Sequence, residues 1–470
     1  MFIGVSHACD TNEIDVLGDG TNCQISKFEI TTTELTAGDE FRFYMSAMGT
    51  FYIDCGGGTL SGNSVSGNVI TRSTTDEDLY ICTYATGGVK TIRMAGRATV
   101  YNGATGDESI KKAAAIRFGA AGLDSATPKL VASIDGELGA IFPTLGQSAN
   151  QQPVFYATFA RTAITTIPAN LFAGVFGGRA YMFVRVFYSA RSLISIPYGL
   201  FNNITTGATK MFYDTFSGCA RLTTIPDALF TNINSGAYQM FLFTFADCSA
   251  ITSIPQDLFA HLTGVAIAMF NGTFQNCGSL SGYIPPSVLS DLIAKGSPYT
   301  TNMMYNMFNN TNLATSCPQG TVQYITGYED YWDGHVSCVD ENLVCDAGEY
   351  FAAHDYKCSI CPENNYCSGG TYPYSETITS GATQCPNNLY SPIGSSSIDQ
   401  CGRILHIGED MLYLRSVKQT IPSLNVKIGN DIFYGNMTIN DVPMNTNTER
   451  KLKLRFNDIT YSVYDDTVQP

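Results

Sequence analysis

A nine-residue phrase that recurs at a nearly constant interval constrains this chain more than any other feature. A fixed period of about 30 residues is typical of repeat proteins, in which each unit buries its apolar face against the next one. The copies read ITTIPANLF at 164–172, LISIPYGLF at 193–201, LTTIPDALF at 222–230, ITSIPQDLF at 251–259 and, more loosely, LSGYIPPSVL at 280–289.

A second phrase, rich in Met and Phe, lies between the copies of the first. It reads KMFYDTFSGC in its clearest form, and its Met and Phe residues have a spacing that fits a short helix. Proline in the first phrase suits a helix start. We therefore predict an α+β fold: a leucine-rich-repeat type solenoid of short parallel strands plus short helices, with five repeats of 29 residues over 153–316.

The composition indicates a folded and acidic chain with several domains. Of its 470 residues, 44% are hydrophobic and 14% are charged, which allows large cores. The formal charge of -15 disfavours nucleic acid and anionic membranes as partners. No apolar run reaches about 18 residues, so we expect no transmembrane segment. The N-terminal MFIGVSHAC lacks the features of an intact signal peptide, so a signal is either absent or removed.

Fifteen cysteines indicate an oxidising location outside the cytosol. Even numbers of them fall in each of the two flanks of the repeats, in loop-rich sequence, which predicts disulfides of open connectivity. Three more, Cys219, Cys248 and Cys277, share one position of the repeat, and we expect buried free thiols there. The disulfide candidates are Cys9, Cys23, Cys55, Cys82, Cys317, Cys338, Cys345, Cys358, Cys361, Cys367, Cys385 and Cys401.

The N-terminal part and the repeats together resemble a known family. Residues 24–100 alternate apolar and polar residues between turns, which predicts an antiparallel β-sandwich. Its phrases GTFYIDCGGGT and LYICTYATGGVKTIRMAG are similar to the PKD-type domains that open many bacterial BspA-like leucine-rich-repeat surface proteins. With the IPxxLF and MFxxTF phrases, the resemblance covers most of 24–320. Cys55 and Cys82 replace the family's usual Trp and His, which suggests a disulfide between them.

The remaining segments are distinguished by composition. Residues 317–401 are rich in Cys, Gly, Pro, Ser and Asn, and resemble cysteine-rich stalk modules of secreted proteins, where disulfides supply the stability that a small core lacks. The expected order is an N-terminal extension (1–23), a PKD-like β-sandwich (24–100), a cap for the repeats (101–152), the repeats (153–316), the cysteine-rich module (317–401) and a small C-terminal β domain (402–470).

The sequence offers few residues with the spacing of a chemical site. The acidic triplet at 76–78 fits either a Ca²⁺ loop or a solvated turn. The CxxC of Cys358 and Cys361 fits a redox or half-zinc site, but structural disulfides fit better. We expect no catalytic residue, metal site or cofactor. Loops that vary between copies make Arg179, Tyr181 and Lys210 the candidate ligand-binding residues.

These features predict an exported, non-enzymatic protein at the cell surface. The resemblance to BspA-like proteins implies adhesion, or interaction with proteins or glycans of a host or neighbouring cell. The alternative is a structural spacer or surface-layer component without a specific ligand. The oligomeric state stays open.

Overall fold

The chain forms two compact units in the computed structural model. One unit comprises residues 1–317 and 326–338, and the other comprises 318–325 and 339–470. None of the helices in the described part of the chain is long and apolar enough to cross a membrane. The structure describes residues 9–10, 12–16, 22–118, 127–259, 261–262, 264–288, 302–324, 332–353, 355–386, 389–401 and the strand backbones between 403 and 464; much of the predicted extension 1–23 lies outside them.

Two antiparallel sheets and a small hairpin form the N-terminal part of the first unit. The hairpin pairs β1 (Glu13–Asp15) with β2 (Cys23–Ile25). The other strands are β3 (Phe28–Thr32), β4 (Glu40–Met45), β5 (Met48–Asp54), β6 (Thr59–Gly62), β7 (Val65–Ser66), β8 (Val69–Arg72), β9 (Asp78–Thr83), β10 (Thr91–Val100), β11 (Ile116–Arg117) and β12 (Val131–Gly136). One sheet has the order β12-β3-β10-β5-β8-β7 and the other the order β11-β4-β9-β6. Since β11 and β12 come from the predicted cap, both sheets extend beyond residue 100.

Alternating apolar residues place the core between these sheets. Burial alternates along β3 and β4, as a strand with one face on the core requires. Phe118 contacts both sheets, with its ring centroid 6.3 Å from that of Phe28 on β3 and 6.1 Å from that of Phe43 on β4. The Cys55–Cys82 disulfide joins the residue after β5 to β9 and so links the two sheets covalently.

The predicted leucine-rich-repeat solenoid is wrong. The described α-helices with both ends defined are α1 (Thr127–Leu130) and α2 (Leu138–Ile141), and 3₁₀ turns lie at Ser109–Lys112, Ala149–Gln151 and Ile398–Gln400. Described residues from 152 to 280 form turns in place of the predicted strands and helices. Parallel pairing joins β13 (Ser281–Gly282) to β14 (Asn312–Leu313) and Ser195 to Thr224 at one bridge, whereas the larger sheets are antiparallel.

The Met and Phe segments form turns because their N–H groups bind in two directions. The Phe183 N–H donates to the Met211 carbonyl of the next copy (2.9 Å), whereas the Val184 N–H closes a turn on Tyr181 (3.3 Å). An α-helix directs its N–H groups four residues back and cannot make the bonds between copies. A spacing of four residues fits these turns as well as a helix, which explains the error. Every fourth residue has positive φ, as at Tyr181, Arg185 and Ser189, then Lys210, Asp214 and Gly218.

Phenylalanine rings pack between successive copies in three rows. In the first row, consecutive ring centroids from Phe183 to Phe270 lie 5.5, 5.6 and 5.4 Å apart. These separations are in the favourable range for aromatic pairs. The rows form the buried core of the repeat segment. They are Phe155, Phe183, Phe212, Phe241 and Phe270; Phe159, Phe187, Phe216, Phe245, Phe274 and Phe308; and Phe172, Phe201, Phe230 and Phe259.

The second unit contains short hairpins followed by longer strands. β15 (Thr321–Gln323) belongs to this unit, and β16 (Cys338–Asp340) begins at the residue where the chain passes from the first unit to the second. Antiparallel pairs join β17 (Asn342–Cys345) to β21 (Gly370–Pro373), β18 (Glu349–Tyr350) to β19 (Ser359–Ile360) and β20 (Asn365–Tyr366) to β22 (Thr383–Gln384). A hairpin of β23 (Arg403–Ile407) and β24 (Asp410–Leu414) precedes an antiparallel sheet of β25 (Lys418–Ile428), β26 (Asp431–Asn440), β27 (Lys451–Phe456) and β28 (Ile459–Tyr464).

Six disulfides use all twelve cysteines of the two flanks, which confirms the prediction of disulfides. The three repeat cysteines are free and buried, as expected from their shared position. Burial raises the pKa of Cys219 and of Cys277 to about 12. The bonds are Cys9–Cys23, Cys55–Cys82, Cys317–Cys338, Cys345–Cys358, Cys361–Cys367 and Cys385–Cys401.

The buried thiols lead to a stoichiometric prediction. In denaturant without reductant, Ellman's reagent should titrate three thiols per chain, whereas the folded chain at pH 8 should react far more slowly because the reactive thiolate is suppressed and shielded. Denaturant with reductant, followed by alkylation and mass measurement, should reveal all 15 cysteines. Rapid reaction of the folded chain, or another count without reductant, would contradict the assigned bonding.

Candidate functional site

A cleft in the first unit lies between the loop at 107–111 and the Met and Phe segments. It encloses about 240 Å³. The 3₁₀ turn Ser109–Lys112 places the loop, because Ile110 is buried in one apolar cluster with Val154 and Tyr181. We call it the tyrosine cleft, and its lining consists of Asp107, Glu108, Ile110, Lys111, Tyr156, Tyr181, Val184, Arg185, Lys210 and Tyr213.

One side of the tyrosine cleft is a bonded group of Asp107, Tyr181 and Lys210. The Lys210 Nζ lies 2.6 Å from Asp107 Oδ2 and 5.8 Å from the centre of the Tyr181 ring. The hydrogen bond from Lys210 holds the pKa of Asp107 below its usual value. Burial, together with the hydrogen bond to Asp107, raises the pKa of Tyr181 to about 12. At neutral pH this side therefore presents an ionised carboxylate, an ammonium and a neutral phenol.

The other side of the tyrosine cleft is organised by Arg185. Its Nε donates to Asp214 Oδ2 at 2.9 Å, and its guanidinium carbon lies 5.4 Å from the centre of the Tyr213 ring and 5.5 Å from that of Tyr188. Burial raises the pKa of Asp214, and the charge of Arg185 opposes that rise. A cation over the face of an aromatic ring is attracted to it. The arginine is thus fixed with its charge beside two rings.

Two of the three predicted ligand-binding residues, Tyr181 and Lys210, line this cleft, whereas Arg179 has a structural role. Arg179 is only 6% exposed. Its guanidinium donates to the carbonyls of Gln152 and Ala104, at 2.7 Å each. Burial lowers its pKa to about 10. Arg179 therefore connects the loop that follows β10 to the repeats and is not presented to a ligand.

Sequence reasoning missed most of the tyrosine cleft. Tyr213 could have been found, because it interrupts a position of the Met and Phe phrase that is Leu242 in the next copy. Asp107 has no comparable signal, since it lies in an irregular loop 103 residues before its partner Lys210. Only the fold brings these two segments together.

Two arginines bind the acidic triplet at 76–78, although the Asp76 side chain itself stays exposed. Arg72 Nη1 donates to Asp78 Oδ2 at 2.5 Å, and Arg72 Nη2 binds the Asp76 carbonyl. Arg117 Nη2 donates to Glu77 Oε1 at 2.7 Å. The side chains of both arginines are at most 4% exposed. The triplet is therefore a structural connection between β8 of one sheet and β11, an edge strand of the other.

The disulfides also exclude the two groups of described residues that have the spacing of a metal or redox site. Cys358 and Cys361 belong to different disulfides, with Cys345 and Cys367 respectively, so the CxxC is neither a redox pair nor half a zinc site. Cys9, Glu13 and Cys23 bring ligand-type atoms within 4.8 Å of one another. The two cysteines of that group are joined to each other, which removes their thiolates as ligands.

Comparison of the chain with protein-family models, with curated proteins and with solved structures finds no match. The resemblance to BspA-like surface proteins therefore stays a prediction.

Proposed function

We propose that this protein is an exported cell-surface protein that binds a protein or glycan of a host or neighbouring cell, through the tyrosine cleft. The observation that supports this proposal is the lining of the cleft, where three tyrosines lie beside two cations. They are Tyr156, Tyr181 and Tyr213, with Arg185 and Lys210. Tyrosine and arginine are enriched among the residues that dominate binding energies at interfaces. Tyr156 and Tyr181 are only 4% and 8% exposed and belong to the buried cluster on which the half-buried Tyr213 packs. The Tyr213 ring therefore offers the apolar face, and the surrounding charges offer hydrogen bonds, which together suit a sugar ring or one exposed side chain.

The disulfides support export. Such bonds form and persist outside the reducing cytosol, and six of them are distributed over both units. Disulfides in both units are expected of a protein that works in an oxidising environment. They favour a surface or extracellular site of action for the proposed binding.

The chemistry of the tyrosine cleft favours binding over catalysis. Its carboxylate Asp107 is ionised and bound to Lys210, so it is a poor proton donor at neutral pH. Arg185 is held by Asp214 and is likewise not free to shuttle protons. The cleft volume of about 240 Å³ is below the usual 300–1,000 Å³ of small-molecule sites, which suits one sugar ring of a longer chain.

A glycan and protein array with the full chain tests this function. We expect selective binding, and a loss of at least about tenfold in affinity for Tyr213→Ala, as is typical when an aromatic contact of this kind is removed. Tyr198→Ala is the matched control, because Tyr198 is 70% exposed and lies outside the cleft lining. An unchanged affinity of Tyr213→Ala would reject the site. A chain that binds nothing on the array but self-associates would instead support the spacer alternative.

A further inference from the structure

A second cleft in the first unit has only positive charges in its lining. It encloses about 440 Å³ and is lined by Lys129, Arg161, Thr162, Ala163, Tyr188, Ser189, Arg191 and Ser192. We call it the basic cleft. Tyr188 lines the basic cleft, and the centre of its ring lies 5.5 Å from the guanidinium carbon of Arg185, which lines the tyrosine cleft.

Three segments that are distant in sequence bring these cations together. The Ala163 N–H donates to the Val131 carbonyl at 2.9 Å, which places the start of β12, and with it Lys129 on α1, beside the first copy. The Arg161 N–H donates to the Tyr188 carbonyl at 2.7 Å, which brings the first copy against the second and places Arg161 near Arg191. Arg161 has a backbone φ of 60° and is exposed.

The charge of this cleft is opposite to that of the whole chain. The formal charge of the protein is -15, yet Lys129, Arg161 and Arg191 have no acidic residue in the lining with them. The ion pairs seen among the described residues do not include these three cations. A cleft lined by one sign of charge concentrates ions of the other sign. An anion in the cleft would supply the negative charge that its lining lacks.

We propose that the basic cleft binds the anionic group of an acidic glycan, either a sulfate or a carboxylate. Guanidinium groups bind both anions through paired hydrogen bonds. The hydroxyl-bearing residues Ser189, Ser192 and Tyr188 line the same cleft and suit the hydroxyl groups of the adjoining sugar. A long nucleic acid is disfavoured because its phosphates beyond the cleft would meet an acidic protein. The proposal concerns a separate site and does not depend on the tyrosine cleft.

The experiment measures binding of the full chain to four probes by isothermal titration calorimetry. The probes are a sulfated heparin-type hexasaccharide, sialyl-lactose, lactose and single-stranded DNA. We expect the sulfated or the sialylated probe to bind at least about tenfold more tightly than lactose, and inorganic sulfate to compete with it. The affinity should fall between about 50 mM and about 200 mM salt, because added salt screens the attraction between the exposed cations and the anionic group. Preference for one of the two acidic sugars identifies the anion.

Substitutions locate the binding. The double variant Arg161→Gln with Arg191→Gln should bind the acidic probe at least about tenfold more weakly. Arg221 is an exposed arginine outside the lining, and Arg221→Gln should change the affinity for the probe by less than about twofold. Equal loss from Arg221→Gln and from the double variant, or binding of DNA as tight as that of either acidic sugar, would overturn the proposal in favour of nonspecific polyanion attraction. If the double variant misfolds, the competition experiment on the unaltered chain decides. Failure of inorganic sulfate to compete with the acidic probe there would by itself overturn the proposal. Tyr213→Ala should not change binding of the acidic probe, so failures of the two sites are distinguishable.

Discussion

Replacing Phe212 by alanine is expected to lower the free energy of unfolding of the first unit by about 3–5 kcal/mol. The side chain is fully buried. Its ring lies 5.5 Å from that of Phe183 and 5.6 Å from that of Phe241, nearly parallel to both, and 5.0 and 4.9 Å from Phe201 and Phe230. Truncation removes four ring contacts and leaves a cavity that the backbone bonds between copies prevent from closing.

Urea denaturation followed by tryptophan fluorescence measures this effect in the first unit. Trp332 is the only tryptophan of the chain, is buried and belongs to that unit. The matched control is Phe176→Ala, because Phe176 is 49% exposed and should lose less than about 1 kcal/mol. Equal losses at both positions would mean that the Phe row does not stabilise the repeats. A loss at Phe212 alone supports the row as the core.

The repeat period was informative about which residues are buried and uninformative about how the backbone folds. The shared register correctly identified the cysteines at 219, 248 and 277 as buried free thiols. It also aligned the phenylalanines that form the rows. The helices were wrong because apolar residues at intervals of four fit both a helix and a series of turns. The choice between them depends on hydrogen bonds to the next copy, such as that from Phe183 to Met211, which no local pattern records.

The same limit applies to the candidate site. Arg179 was nominated because it lies in a variable loop, but the carbonyls that bind it belong to a segment about 75 residues earlier. The acidic triplet was interpreted without its arginine partners, one of which, Arg117, lies 40 residues from Glu77. From sequence alone a charged residue is expected to be exposed, because the sequence does not show its partner. Tyr181 and Lys210 were nominated on the same ground and line the tyrosine cleft, and their role in binding stays a prediction.

Breaking the ion pair of Arg117 and Glu77 is the second change expected to lower the stability of the first unit strongly. Their side chains are 4% and 13% exposed, and the pair joins β11 to the loop before β9. Arg117→Met is expected to destabilise the first unit by about 3–5 kcal/mol at pH 7, since it leaves a buried carboxylate without its cation. The loss includes the contact of the Arg117 guanidinium with the Tyr44 ring, 4.8 Å from its centre. Arg42→Met, in a half-exposed pair with Glu40, is the control and should cost less than about 1 kcal/mol.

The double variant and the pH dependence separate the charge from the lost packing. Arg117→Met with Glu77→Gln should be more stable than Arg117→Met alone, by about 2 kcal/mol, because no buried charge remains. Burial raises the pKa of Glu77, and Arg117 opposes the rise. Without Arg117 the pKa of Glu77 in the folded chain lies further above its value in the unfolded chain. The Arg117→Met variant therefore keeps its stability below the unfolded pKa of Glu77 and loses stability as the pH rises through the folded pKa. The cost of Arg117→Met should therefore grow from pH 4 to pH 7, and the double variant should lack this growth. A cost that is independent of pH, in urea titrations at both pH values, would mean that packing and not charge explains the effect.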